Sequence, residues 1–180
     1  MVLKVGTFPN ALLLSICSIA LCQQPNEDLV PPPPPLTDKI SNAELPKISA
    51  KLRHQFTAKE FTSPATVQSF PEELRSALFA FLKTSRFANP GEKFNATDVI
   101  VNESLPGRRL IIAGISDELA FVCYEHGGYG KHNHIILFRR TDGHNFMPVA
   151  NVSPNGLLRP NVQLIKSIIS TKNYSYSQDA

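Results

Sequence analysis

The sequence predicts an α+β domain in which an antiparallel β meander of about four strands packs with an N-terminal and a C-terminal helix. Three observations favour this fold class. Apolar residues recur at helical spacing after SFPEEL at residues 69–74, short β-rich runs follow between residues 108 and 152, and helical spacing returns after residue 160. Helices at both ends of a strand-rich region are typical of helices packed on an antiparallel sheet.

The first convincing helix begins at SFPEEL. Ser69 is expected to cap it, and Pro71 fits the first turn because it lacks an N–H that the helix would not use. Its apolar positions share one face, which predicts a core-facing helix: Leu74, Ala77, Leu78, Phe81 and Leu82. The turn sequence NPG at residues 89–91 predicts that the helix ends near Phe87.

The meander is predicted from consecutive β-rich runs. These are Arg108–Ile115, Glu118–His126, Lys131–Arg139 and the weaker Phe146–Val152, with Asp98–Val101 as a further candidate. The run from Glu118 has apolar side chains on both faces, which predicts a central strand covered on both sides. Ser116–Asp117 and Gly127–Gly130 are the expected hairpin loops.

A closing helix follows the strands. Val162, Ile165, Ile168 and Ile169 recur at helical spacing, and Pro160 stands near the expected start. Residues 173–180 are polar and terminal, so they are expected to be a flexible tail.

The N-terminus predicts export. Lys4 precedes an apolar run that ends at Cys22 and is shorter than the roughly 20 residues of a membrane-spanning helix. Residues 1–22 are therefore expected to be a signal peptide, cut after Cys22 because Ala20 and Cys22 are small. The alternatives are an uncleaved anchor and a lipoprotein acylated at Cys17 or Cys22, which would tether the chain to a membrane. The protein is thus expected to be secreted or periplasmic, with a lipid-anchored form as the alternative.

Residues 23–64 are expected to be a proline-rich disordered tether. Pro31–Pro35 favours an extended polyproline helix, which serves as a spacer or, alternatively, as the ligand of a proline-recognising domain. A short basic helix over Asn42–Phe56 is the one element this stretch could hold, although its apolar positions are sparse and Pro46 interrupts it. The single globular domain is predicted to cover residues 65–172.

Charge and cysteine content narrow the function classes. Loss of Lys4 with the signal leaves 17 of the 18 basic side chains against 15 acidic ones, a balance that gives no argument for nucleic acid as a partner. Cys123 would be the one cysteine left, so an internal disulfide is not expected. The sequence contains no Walker motif, no dinucleotide-binding glycine pattern and no GxSxG nucleophile elbow.

The candidate chemistry lies in CYEHGGYGKHNHI at residues 123–135. With a loop at Gly127–Gly130, Glu125 would oppose His132 and Cys123 would oppose His134, all on one face. Thiolate and imidazole are zinc ligands. Cys123, His132 and His134 are therefore candidate metal ligands, and Glu125 is the candidate general base of a zinc-dependent hydrolase. A slip of one residue in the hairpin would separate these side chains.

Two other interpretations of the hairpin stay open. A turn at Ser116–Asp117 would set Arg108 opposite Glu125 and Leu110 opposite Cys123, which makes an exposed ion pair and a small buried apolar thiol. Alternatively, the basic residues of this region form an anion-binding surface. Its members would be Arg108, Lys131, His132 and His126.

The sequence therefore favours a small exported α+β domain on a proline-rich tether, acting as a non-enzymatic binding or structural module of the periplasm or cell exterior. Under this hypothesis no cofactor is needed, and a protein partner or a membrane tether through the N-terminus is compatible with the chain. The alternative is the zinc-dependent hydrolase, which would use the cluster on the hairpin of residues 118–139.

Overall fold

Three helices and a five-stranded antiparallel sheet form an α+β fold, so the predicted fold class is confirmed. The computed structural model describes residues 45–97, 100, 102–128, 132–141, 144–156 and 161–177. The helices are α1 (Ala50–Ala58), α2 (Glu72–Leu82) and α3 (Val162–Thr171); the strands are β1 (Arg108–Ile115), β2 (Leu119–His126), β3 (His132–Thr141), β4 (Asn145–Pro154) and β5 (Tyr174–Tyr176). The strands lie in chain order and each is antiparallel to its neighbours.

The signal peptide, the Pro31–Pro35 stretch and most of the candidate strand at residues 98–101 lie outside the described residues. Within the described part of the chain, each helix falls short of the length and apolarity needed to cross a membrane.

Helix α2 buries the apolar face that its sequence predicts, but both of its ends differ from the prediction. Ser69 does not cap it, because it belongs to a 3₁₀ turn over Val67–Ser69 that Thr66 caps. Pro71 occupies the cap position without a side-chain hydrogen bond. The helix ends at Leu82, because Lys83 adopts a left-handed conformation with φ of 49°, and not near Phe87.

The sheet separates two hydrophobic cores. On the α2 face, α2 packs over residues that include Leu110, Val122 and Tyr124. On the α1/α3 face, α1 and α3 cover residues that include Phe121 and Cys123. Strand β2 alternates between the two cores and is paired on both sides, which confirms the prediction of a central strand covered on both faces.

The expected domain boundary at residue 65 needs correction. Helix α1 lies inside the segment assigned to the tether, yet Leu52 and Phe56 are buried in the α1/α3 core. The Ser49 side chain caps this helix by accepting a hydrogen bond from the Leu52 backbone N–H. Two apolar side chains one turn apart suffice to dock it, although its sequence is otherwise polar.

The predicted flexible tail is also corrected. Tyr174–Tyr176 form β5, which pairs with the end of β4. The Tyr176 hydroxyl accepts a hydrogen bond of 2.9 Å from the Ile48 backbone N–H, so the C-terminal strand is joined to the segment that leads into α1.

The register of both central hairpins differs by a small step from the prediction. Between β2 and β3, Tyr124 opposes His134 and His126 opposes His132, because five residues rather than four separate the strands. Between β1 and β2, Asp117 and Glu118 are the central turn residues in place of Ser116–Asp117.

Strand β1 also contains a bulge. The pairing shifts between Leu110 and Ile112, which leaves Ile111 as the extra residue. No sequence signal predicts a bulge of this kind. The bulge changes the β2 partner of every β1 residue that precedes it.

Candidate functional site

The predicted zinc cluster is not assembled. Cys123 opposes Ile135 on the α1/α3 face, whereas His134 opposes Tyr124 on the α2 face. Side chains of adjacent residues in a strand point to opposite faces, so the one-residue difference in register separates Cys123 from both predicted histidine ligands. Among the described residues, no three His, Cys, Asp or Glu side chains are grouped so that they could hold a metal ion.

Cys123 is a buried apolar residue, as one interpretation of the sequence expects. Its side chain has no exposed surface and lies in the α1/α3 core. Burial raises the pKa of the Cys123 thiol, and the negative charge of Glu125 raises it further. Because the thiolate is the metal ligand and the nucleophile, a thiol held in its neutral form is a poor candidate for either role.

Glu125, the candidate general base, is held in an ion pair. Its Oε2 lies 2.9 Å from Nη2 of Arg109, which replaces the predicted partner Arg108. The same guanidinium donates to the Glu92 carbonyl oxygen and stacks on the Phe94 ring at 4.5 Å. Glu125 therefore lies on the α1/α3 side of β2, on the opposite face from His126 and His132.

The register that disperses the zinc cluster aligns three other side chains. Arg108 opposes His126, and His126 opposes His132, so the three lie side by side across β1, β2 and β3. All three are on the α2 face, because they alternate with residues of the opposite face and stand two positions from Leu110, Tyr124 and His134. We call Arg108, His126 and His132 the cationic row.

The cationic row consists of the three described members of the predicted anion-binding set. His132 is exposed, and Arg108 and His126 are half-buried. The Arg108 Nε atom is buried and has no hydrogen-bond acceptor among the described residues. Lys131, the remaining candidate of that set, lies outside the described residues.

His134 occupies the next row and has a structural environment. Its side chain is 4% exposed, and its ring stacks on Tyr124 with centroids 5.0 Å apart. Nδ1 lies 3.2 Å from Oγ of Ser177 and 3.5 Å from Oγ of Ser153. His134 therefore connects the central hairpin to β4 and to the residue that follows β5.

A cleft of about 520 Å³ opens beside the cationic row. His126 and Gly127 form one side of it, and the segment that precedes β1 forms the other. The remaining lining residues are Arg86, Asn95, Thr97, Ile100, Glu103, Leu105 and Gly107. The row and the cleft share His126, so they form one continuous surface at this end of the sheet.

Arg86 holds a fixed position in that cleft. Its two Nη atoms donate to the carbonyl oxygens of Glu103 and Ser104, at 2.9 and 3.1 Å. Carbonyl oxygens orient the guanidinium without cancelling its charge, and no described carboxylate forms an ion pair with it. Sequence reasoning missed Arg86, because its contacts join residues 17 and 18 positions apart through a segment with no regular pattern.

A second cleft, of about 610 Å³, lies along α2 and also contains Arg86. Its charged lining residues are Arg75, Arg86, Glu92 and Lys93. Arg75 pairs with Glu72, and the Glu92 carboxylate accepts a hydrogen bond from the Asn89 backbone N–H, which lowers the pKa of Glu92. We take the cationic row and its adjoining smaller cleft as the candidate site, because His126 joins Arg86 and the row in one surface.

The comparisons with known proteins gave no match that bears on this site. No family model matches the chain, and no curated protein or solved structure matches it either.

Proposed function

We propose that the protein is an exported, non-enzymatic binding module that holds an anionic ligand on the cationic row. One observation carries this proposal: the register places Arg108, His126 and His132 next to one another on the same face of three adjacent strands. The guanidinium group presents donors in a planar fork that suits carboxylate, phosphate and sulfate oxygens. Imidazole adds an N–H donor in its neutral form and a positive charge when it is protonated.

The surroundings of the row favour an anion over a cation. Glu125, the nearest carboxylate along β2, points to the other face and is paired with Arg109. No described carboxylate forms an ion pair with Arg108, and its buried Nε has no acceptor among the described residues.

We propose from the N-terminal sequence that the protein acts outside the cytoplasm. A basic residue followed by a short apolar run at residues 1–22 supports export, and the proline-rich stretch after it supports a spacer between an envelope or membrane and the domain. N-terminal sequencing of the exported protein should begin at Gln23. An intact Met1 on a chain that stays in the cytoplasm would refute the export part of the proposal.

The alternative, a zinc-dependent hydrolase, has less support. Its ligands would have to come from both faces of β2 and β3, and its general base is bound by Arg109. The arrangement also lacks, among the described residues, a third ligand close enough to complete a site.

Anion binding is tested by adding sodium sulfate to the exported protein at constant ionic strength and following amide and imidazole shifts by NMR. Saturable shifts centred on Arg108, His126 and His132 are expected. Arg108→Gln and His132→Gln should each weaken binding by about fivefold or more, as loss of a charge-assisted hydrogen bond predicts. Lys51→Gln, an exposed cation of α1 on the other side of the sheet, is the matched control.

Shifts that do not saturate, or shifts that are unchanged in both variants, would refute the site. Sodium chloride at the same ionic strength separates specific binding from screening.

A further inference from the structure

We infer that the ligand of the cationic row is a linear acidic polysaccharide, an inference that rests on the proposed function and names its ligand class. The row runs across the strands, perpendicular to them. Adjacent strands lie about 4.8 Å apart, so the backbones at Arg108 and His132 are about 10 Å apart. One tetrahedral anion spans only part of this distance, whereas a chain with repeated acidic groups reaches every position.

Arg86 extends the same surface. It lines the cleft of about 520 Å³ together with His126, which is the central member of the row. The carbonyl oxygens of Glu103 and Ser104 hold its guanidinium in place before any ligand arrives. The N–H donors of these side chains thus follow a path from His132 through His126 to Arg86 instead of converging on one point, and such a path suits a multivalent chain.

A polypeptide fits this surface less well than a sugar chain. The row lies on the face of the sheet, where β2 is already paired with both neighbours and where Ala88 pairs with Arg109 on the outer edge of β1. An acidic peptide would find no partners there for its own backbone N–H and C=O groups, which peptide recognition by sheets normally supplies.

A nucleic acid is disfavoured for a different reason. Binding of single strands depends on exposed aromatic rings on which bases stack. Tyr124, the aromatic residue next to the row, is 1% exposed. A sugar chain needs neither stacking platforms nor backbone partners, and its hydroxyl groups can form hydrogen bonds with imidazole.

Glu103 supplies an internal control. Its side chain lines the same cleft as Arg86 and is exposed, so its carboxylate opposes an acidic chain that follows this path. Glu103→Gln should therefore strengthen binding of an acidic chain by about two- to fivefold, whereas loss of a merely structural side chain would not.

The test compares two series of probes on the exported protein by calorimetry: galacturonate with its linear oligomers, and sulfated dextran fragments of matched length. In at least one series, affinity should rise about tenfold or more from the monomer to an oligomer that spans the row. That gain should fall steeply with salt, because several charges are engaged. Arg86→Gln should remove most of the gain, and Lys51→Gln should leave it intact.

Polyglutamate and neutral dextran are the competing probes. Equal affinity for polyglutamate, or for neutral dextran, would overturn the inference, as would the absence of any gain with length in both series. Arg86→Gln could fail to fold, because the turn at residues 102–105 loses its anchor. Glu103→Gln then gives an independent answer. Unchanged affinity of this variant for the oligomers would refute the proposed path of the acidic chain past Arg86.

The two proposals fail in different ways. If sulfate and galacturonate leave Arg108, His126 and His132 unperturbed, the anion site itself is wrong. If sulfate binds at the row but oligomers bind no more tightly than monomers, the anion site stands and the polysaccharide inference alone is refuted.

Discussion

Tyr124 lies directly opposite His134, and their rings stack with centroids 5.0 Å apart and an angle of 16° between planes. This contact fixes which side chains of the central hairpin share a face. His134 therefore packs against Ser153 of β4 and Ser177, which follows β5. The exposed His132 lies in the cationic row.

Replacement of His134 by Ala should lower the free energy of unfolding by about 1–3 kcal/mol, because the variant loses the Tyr124 stack and the contacts with two serine hydroxyls. Urea denaturation followed by circular dichroism measures this loss. His132→Ala is the matched control, since the exposed His132 should cost no more than about 0.5 kcal/mol. Equal losses in the two variants would contradict the register.

Native Cys123 should resist alkylation. Burial raises the pKa of its thiol, so the reactive thiolate is scarce and shielded in the folded protein. Mass spectrometry should show modification by iodoacetamide at pH 8 about 100-fold more slowly than in urea, where the chain is unfolded. A similar rate in both conditions would show that the thiol is accessible.

The purified protein should not bind zinc through its hairpin. After equilibration with zinc and removal of the excess, mass spectrometry should detect no bound metal that the double substitution of His132 and His134 by Ala removes. Cys123 and His134 lie on opposite faces of the sheet, which prevents them from sharing one tetrahedral ion. Stoichiometric zinc that disappears in this variant would restore the hydrolase hypothesis.

Gly114→Ala should destabilise the fold by about 1–3 kcal/mol, the usual cost of overpacking. A β-carbon at Gly114 would overlap the ring of Phe121, its partner on β2. Thermal unfolding measures the loss, and Gly107→Ala is the control because a β-carbon there would have open space. An unchanged melting temperature for Gly114→Ala would mean that the Phe121 ring moves freely.

The ion pair of Lys59 with Asp117 should contribute stability over a defined pH range. Lys59 lowers the pKa of Asp117 below its usual value of 3.8, so the contribution is present above that value and is lost as pH falls through the lower folded value. Hydrogen bonds to Glu118 and Asp117 raise the pKa of Lys59 above 10.5, so the contribution is also lost as pH rises through the folded value.

The effect should be small, because the pair is exposed to solvent. Asp117→Asn should lower the melting temperature near neutral pH, and the difference from the wild type should shrink in acid below the folded pKa of Asp117. A difference that stays constant into strong acid would exclude the pair as its source.

Periodicity predicted the fold well because apolar residues recur at the spacing of the face that each element buries. The apolar positions of α2 and the two apolar faces of β2 each predict an element and the side on which it is covered. The same reasoning gave a short helix over Asn42–Phe56 as a possibility but placed it in the tether, because α1 buries only Leu52 and Phe56. It also missed β5, a strand of three residues whose pairing depends on where β4 ends.

The candidate site was harder to predict because a single residue of register decides it. Glycine-rich loops accept several lengths, so the sequence of residues 127–131 does not state whether four or five residues separate the strands. The bulge at Ile111 then exchanges Arg108 for Arg109 as the partner of Glu125. Sequence analysis identified residues of the right chemistry, but it could not determine which of them become neighbours.

Strand β3 is apolar on both faces from Ile135 to Phe138. A shift of its pairing with β2 by one residue would therefore leave almost the same pattern of apolar side chains on each face. The polar contacts of His134, near the loop end of the hairpin, therefore favour one pairing over the other. Deletion of one glycine from residues 127–131 would favour the alternative pairing, in which Ile135–Phe138 still lie opposite apolar residues of β2. An evolving chain could thus exchange the alignment of Arg108, His126 and His132 for one that sets Cys123 opposite His134, through the loss of a single codon.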